Sequence, residues 1–234
     1  MQIAVVDDNL DEVQAIIATL EAGGDPCRRF ASAAALIAAL RRDTYDLLLI
    51  DWNMAGMSGL ELLEWLGENV PARPPVIMLT SRTAKEDIVA ALDAGADDFI
   101  IKPEDPNVVR ARARAALRRH APPPATASVR FGDYAFSRVD GQASFAGQPI
   151  DLTRKEFEVA LLLFENCNRP LARSYMLQKV WHNSPDVETR TLDVHISRLR
   201  AKLNLRAERG FTLQTVFGFG YRLESLGGMT GEAA

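Results

Sequence analysis

The chain has 234 residues, 47% of them apolar and 25% charged, with a net charge of −4 at neutral pH. That length holds two domains with cores of their own, and the balance excludes fibrous and disordered classes. No apolar run approaches the ~20 residues that cross a bilayer. The start "MQIAVVDDN" moves straight to acids without the basic flank of a secretory signal, so a cytoplasmic protein without a membrane partner is expected. Cys27 and Cys167 stand far apart and read as reduced thiols. Charge is uneven: acids outnumber Lys plus Arg by 19 to 13 up to His120, and bases outnumber acids by 14 to 12 beyond it. An acidic half joined to a mildly basic one fits ion or phosphate handling beside polyanion binding.

In chain order, the first half alternates apolar runs with helical patterns. Strands are expected at 3–6 ("IAVV"), 27–30 ("CRRF"), 47–50 ("LLLI"), 76–79 ("VIML") and 99–101 ("FII"). Helices are expected at 10–22, 32–42, 59–68, 84–94 and 106–119. Strands that are apolar throughout are buried on both faces, as in a parallel sheet covered by helices. The expected fold is a doubly wound α/β domain over 1–119, with its site at the carboxyl ends of five parallel strands. The run "HAPPPATAS" (120–128) cannot continue a helix and reads as a semi-rigid linker. Beyond it come short strands over 129–150, helices near 153–166, 173–181 and 187–204, and a hairpin, "TLQTV" and "GYRLE", joined by "FGFG". Three helices closed by a hairpin make an α+β winged helix-turn-helix domain, 129–225, leaving 226–234 as a flexible tail.

Two sets of residues carry chemistry. At successive strand ends of the first domain stand Asp7 and Asp8, Asp51, Thr80 and Lys102. Three carboxylates brought together repel one another unless a cation neutralises them, and oxygen ligands suit Mg²⁺ or another hard divalent ion. Thr80 offers a hydroxyl and Lys102 a positive charge, both suited to a phosphoryl group. In the second domain, Leu192, Ile196, Leu199 and Leu203 recur at helical spacing as a buried stripe. Arg190, Val194, Ser197 and Ala201 then face away, with Thr191 and Arg198 on a flank, a pattern suited to the major groove of double-stranded DNA. Arg190, Thr191, Ser197 and Arg198 are the expected DNA contacts. Arg200 and Lys202 lie nearer the core, where they reach phosphate or only snorkel. His195 borders the stripe, where packing or backbone hydrogen bonding outweighs base reading.

The stretches "VVDDN", "LLLIDWNMAGMSG", "VIMLTSR" and "GADDFIIKP" resemble the receiver domain of bacterial response regulators, a flavodoxin-like fold. "LTRKEFEVALLLFENCNRPLARSYMLQKVW", "ETRTLDVHISRLRAKL" and "TVFGFGYRL" resemble the winged-helix effector of the OmpR/PhoB family. The likeness implies that a sensor histidine kinase phosphorylates Asp51, and that Asp7, Asp8, Asp51 and the Asn53 carbonyl hold Mg²⁺. Lys102 and Thr80 would engage the phosphoryl group, and Thr80 with Phe99 would form the switch. Catalysis would be limited to self-phosphorylation and dephosphorylation. Phosphorylation would control a homodimer and DNA binding, with RNA polymerase as a further candidate partner.

Several positions depart from the family's pattern. Ala55 stands where proline is common, which should loosen the loop after Asp51. Trp52 and Asn53, beside the acceptor, are expected to set the lifetime of its phosphate. In the wing, Phe217 occupies a position that is often basic, so weaker wing contacts are expected. On the dimer face, Asp98 with Arg112 and Asp93 with Arg114 keep their charge types, whereas Ile88 and Val108 replace a charge pair by an apolar one. Both partners having changed, an apolar Ile88–Val108 contact is expected. Two other functions fit parts of the pattern: a constitutive DNA-binding regulator whose receiver mainly dimerises, and an aspartyl phosphohydrolase. The second usually needs an acid two residues past the nucleophile, where this chain has Asn53.

Overall fold

The computed structural model describes residues 1–9, 11–70, 72–81, 84–120, 128–181, 189–226 and 232–233, excluding the side chains of Lys85, Thr189, Arg190, Glu232 and Ala233. The chain forms two compact units. In the first, β1 (Ile3–Val6), α1 (Gln14–Ala22), β2 (Cys27–Phe30), α2 (Ala33–Leu40), β3 (Leu47–Asp51), α3 (Gly59–Asn69), β4 (Val76–Thr80), α4 (Lys85–Asp93), β5 (Asp98–Ile101) and α5 (Pro106–His120) alternate as expected. The strands form one parallel sheet in the order β2-β1-β3-β4-β5.

Alternation along the strands divides the core in two. Ile3, Val5, Leu47, Leu49, Ile77 and Leu79 face α1 and α5, meeting Ile17, Leu20, Val109 and Ala113. Ala4, Val6, Leu48, Ile50, Val76 and Met78 face the other way, onto Leu36 of α2 and Leu62, Leu63 and Leu66 of α3. Parallel strands thus bury both sets of side chains, as their unbroken apolar sequence requires. Parallel register sets Val6 beside Ile50 and Asp51 beside Leu79, so the strands finish at one edge.

Local capping fixes the approach of α3 to that edge. Ser58 and Glu61 form a reciprocal capping box. Gly59 lies so close to β3 that an added Cβ would fall 2.1 Å from the Asp51 carbonyl oxygen. Helix α1 begins later than its sequence pattern suggests, because Glu12 N–H turns back to the Asn9 carbonyl (3.2 Å) and Gln14 N–H to that of Asp11 (3.4 Å). Just before them Asp7 Oδ1 accepts the Asn9 N–H at 2.8 Å, a local side-chain bond of the kind that competes with a helical start.

The second unit opens with β6 (Ser128–Phe131), β7 (Tyr134–Ser137), β8 (Gln142–Phe145) and β9 (Gln148–Ile150), paired as an antiparallel meander. Then follow α6 (Arg154–Glu165), β10 (Leu171–Ala172), α7 (Arg173–Trp181), α8 (Thr189–Lys202), β11 (Phe211–Val216) and β12 (Gly220–Ser225). Strands β10, β12 and β11 make a small sheet whose β11–β12 hairpin is the wing. An aromatic cluster fills the core, with Phe164 at 5.0 Å between ring centres from each of Tyr134, Phe136 and Phe211. The stripe Leu192, Ile196, Leu199 and Leu203 is buried, as its spacing predicts. The tail expected to be flexible contributes a short strand, β13 (Glu232–Ala233), against β6. Among the described residues no helix is long and apolar enough to cross a membrane.

Candidate functional site: an acidic pocket and an exposed helix face

The ends of β1, β3 and β5 bring Asp7, Asp8, Asp51 and Lys102 into one cleft, lined also by Asn9, Glu12, Asn53 and Ser81. Asp7 and Asp51 are buried, at 1% and 5% exposure. Lys102 Nζ bridges them, 2.7 Å from an oxygen of each carboxylate. Burial pushes the Asp51 pKa up and the Lys102 contact opposes it without cancelling it, while the Asp7 charge raises it further. Burial disfavours the Lys102 ammonium too, but its contacts with Asp51 and Asp7 outweigh that and raise its pKa. One cation between two buried anions leaves the pocket with excess negative charge.

Carboxylate oxygens of Asp7, Asp8 and Asp51 lie within 4.8 Å of one another. Hard oxygen donors this close, still acidic after one ion pair, fit a hard divalent cation. Thr80 is buried at the end of β4, and its carbonyl accepts the Lys102 N–H at 2.7 Å, locking strand end to strand end. The Asn53 amide reaches Ser81 Oγ at 3.4 Å. Phe99 is half-buried against the core that β4 shares with α3 and α4. Trp52 is buried beside Asp51, its backbone N–H bonded to the Leu79 carbonyl at 2.8 Å.

The structure alters the reading of Ala55. Its N–H donates to Asp8 Oδ2 at 3.0 Å, tying the loop after β3 to the acid after β1. Proline has no N–H for such a bond, so the change supplies a tether where loosening was expected. Glu12 and Asn9 were missed by sequence reasoning. Glu12 Oε2 lies 3.3 Å from Lys102 Nζ, and Asn9 Nδ2 donates to Glu12 Oε1 at 2.7 Å. An acid at the start of an amphipathic helix reads as solvated, and only the late start of α1 turns it inward.

On the α4–β5–α5 face, Val89 (54%), Leu92, Ile101 and Val108 are exposed apolar side chains, while Ile88 is half-buried. Arg112 pairs with Asp98 within the chain at 3.3 Å. Arg114 corrects the sequence expectation. It lies on the opposite flank of α5, its guanidinium 3.4 Å from the Gly23 carbonyl at the end of α1. Two residues beyond Arg112 on a helix is about 200° around the axis, so both cannot serve one face. Arg114 therefore does not join Asp93 on this face.

Helix α8 shows Val194, Ser197, Arg198 and Ala201 exposed and Thr191 half-buried; the side chain of Arg190 lies outside the described ones. His195 packs as expected, its Nδ1 2.7 Å from the Thr191 carbonyl and its ring edge-on to Trp181. The flank basic residues are engaged internally. Arg200 donates to the Leu213 carbonyl (3.1 and 2.9 Å) and to Thr215 Oγ1 (2.9 Å) on β11. Lys202 pairs at 2.7 Å with Glu156, which also accepts the Thr153 N–H that opens α6. A third set joins Asp193 to the Tyr221 hydroxyl at 2.5 Å and to Arg173 at 3.4 Å.

Comparison with known proteins agrees with this geometry. Residues 3–114 match the response regulator receiver domain, and 147–223 match the C-terminal domain of transcriptional regulatory proteins. The chain is 32% identical to the phosphate regulon transcriptional regulatory protein PhoB of Pseudomonas aeruginosa over 95% of this chain and 97% of that one. It is 31% identical to the DNA-binding response regulator MtrA of Mycolicibacterium smegmatis, over 94% and 96% of the two chains. A PhoB from Rhizobium meliloti is 36% identical over 77% and 79%. With its sheet order, its strand-end carboxylates and relatives matched over nearly their whole length, the chain belongs to the OmpR/PhoB family of response regulators.

Proposed function

We propose that the protein is a phosphorylation-controlled transcription regulator in which a partner histidine kinase phosphorylates Asp51. The observation that carries this reading is the Asp51 carboxylate, buried at a strand end against Asp7 and Lys102. Asp51 attacks the phosphorus of a phosphohistidine, the P–N bond breaks, and an acyl phosphate forms on Asp51. Asp7, Asp8 and Asp51, with the Asn53 carbonyl, would hold Mg²⁺ or another hard divalent ion. When bound, the ion neutralises the clustered carboxylates and the charge of the phosphoryl oxygens. Lys102 releases its Asp51 oxygen and pairs with the new phosphate, and the Thr80 hydroxyl turns toward it. Phe99, on the strand that Lys102 follows, takes up the space that Thr80 leaves.

The output is binding rather than turnover. The apolar face of Val89, Leu92, Ile101 and Val108, with Ile88 beside it, supports a homodimer of phosphorylated chains. Helix α8 reads the major groove through Thr191, Ser197 and Arg198, with Arg190 at its start. A cytoplasmic regulator acting on RNA polymerase at promoters fits this output.

A small phosphodonor with Mg²⁺ tests the reading on wild type and Asp51→Asn, followed by selection of DNA sites from a random pool. Wild type should gain one phosphoryl group by intact mass and bind its sites more tightly, and the variant should do neither. No mass gain in wild type rules out the phosphoacceptor, and equal DNA binding with and without phosphodonor establishes the constitutive alternative instead.

A further inference from the structure

Of the three carboxylates in the strand-end pocket, Asp8 is the one that the fold holds least. Asp7 and Asp51 are buried, and Lys102 Nζ lies 2.7 Å from an oxygen of each. Asp7 also accepts the Asn9 N–H at 2.8 Å. Asp8 is exposed, so packing does not fix its side chain. Among the described residues that side chain has one hydrogen-bond donor, the Ala55 N–H, 3.0 Å from Oδ2.

The loop that carries this N–H is itself fixed. Trp52 and Met54 are buried in the core that the sheet shares with α2 and α3. The Trp52 N–H is bonded to Leu79, and the Gly59 N–H closes the loop onto the Trp52 carbonyl at 2.9 Å. Gly56 turns the chain with a φ of 82°, in the left-handed region that glycine favours. Ala55 stands between buried Met54 and that turn, so the core sets where its N–H points. Its methyl group is exposed and buries little. What alanine brings to this position is the N–H, which proline lacks.

We propose that Ala55 is a positioning residue for a divalent cation: its N–H fixes the exposed Asp8 carboxylate in the orientation in which it joins Asp7 and Asp51 as a ligand. The inference rests on the reading of this pocket as a cation site. An ionised carboxylate has about four lone-pair sites, so one N–H orients Asp8 and leaves oxygen for the ion. Partners outside the ligand set orient metal ligands, and losing one typically weakens binding about 10–100-fold. The bond also reduces the ordering that the ion itself must impose on an exposed side chain. A chain with proline at this position has no N–H there and must orient the acid in another way.

The test uses the full chain and Mn²⁺ as the probe, without phosphodonor, with the free ion counted by electron paramagnetic resonance. Ala55→Pro should bind Mn²⁺ about tenfold more weakly, and Ala55→Gly, which keeps the N–H, should bind it as wild type does. Asp8→Ala binds the ion more weakly by itself, and adding Ala55→Pro to it should change nothing further, because the N–H acts through Asp8. A merely structural role of the loop would weaken both backgrounds alike. Hydrogen exchange at the Ala55 amide reads the bond without the proline variant, whether or not that variant folds. Exchange should be slow in wild type, stay slow when Mg²⁺ is added, and quicken in Asp8→Ala. Wild-type affinity in Ala55→Pro overturns the inference alone. So does an equal loss in Ala55→Gly, an equal loss in the Asp8→Ala background, or exchange that quickens with Mg²⁺. Wild type that binds no Mn²⁺ overturns the pocket as a cation site and this inference with it.

Discussion

The strand-end pocket and the exposed face of α8 handle charge in opposite ways. In the pocket, buried Asp7 and Asp51 share one ammonium, Lys102, and Glu12 adds a further carboxylate at 3.3 Å. Negative charge is left over, which is what a cation and then a phosphoryl transfer can exploit. Around α8 three basic residues are spent on the fold: Arg200 holds the wing, Lys202 holds Glu156, and Arg173 of α7 stacks on Tyr221. Charge reserved for chemistry sits buried and unbalanced, whereas charge that orients a reading surface is satisfied internally. Arg198 stays exposed on α8.

Four experiments break or sharpen this contrast. The largest effect is expected from removing charge in the pocket. Under the proposed function Asp7 and Asp8 hold the ion, so Asp7→Asn with Asp8→Asn should weaken divalent-cation binding about a hundredfold or more, beyond the 10–100-fold typical of supporting partners. Fluorescence of Trp52, buried beside Asp51, reports the titration, and equal affinity in wild type and variant would remove the pocket as a cation site. Next comes the approach of α3 to the site. Gly59→Ala should destabilise the first unit by about 1–3 kcal/mol, the range for overpacking, because the new Cβ meets the Asp51 carbonyl. Urea unfolding measures it, and phosphorylation of Asp51 should fall in the same variant.

The third concerns the pair under α8. Burial works against the Glu156 carboxylate, but Lys202 and the Thr153 N–H outweigh it and lower its pKa. A pKa held below its unfolded value stabilises the fold above the ordinary carboxylate range, and that gain is lost as pH falls through the folded value. Lys202→Met should therefore cost about 1–2 kcal/mol near neutrality, with the gap to wild type closing below about pH 4. A gap in unfolding temperature that stays constant with pH would deny Glu156 this role. The smallest effect separates the arginines. Arg198→Ala should weaken DNA binding by about 1 kcal/mol without changing stability. Arg200→Ala should lower stability of the second unit and loosen the wing. Equal losses of affinity and stability from both would erase the distinction drawn on α8.

Much of this was legible in the sequence, for identifiable reasons. Unbroken apolar runs such as "LLLI" and "VIML" demand burial on both faces, so they declared parallel strands, and their ends declared the pocket. The stripe Leu192, Ile196, Leu199 and Leu203 has helical periodicity and is buried as that spacing requires. Where several conformations suit the same local sequence, reading failed. Glu12 is as acceptable on a solvated helix as against Lys102, and the turns at Asn9 and Asp11 decide between them. Arg112 and Arg114 are alike in a basic helix, yet one faces β5 and the other the end of α1.

Sequence by itself determined the order of elements, the buried faces and the identity of the strand-end carboxylates, because periodicity and strand termini are local properties. Tertiary structure alone decided which charges are spent. It engaged Arg200 and Lys202 within the fold, turned Glu12 into the pocket, tethered Ala55 to Asp8 and left Phe217 in water. The physical reason is that a charge or a ring acquires its role from the partner it meets, and those partners come from distant parts of the chain.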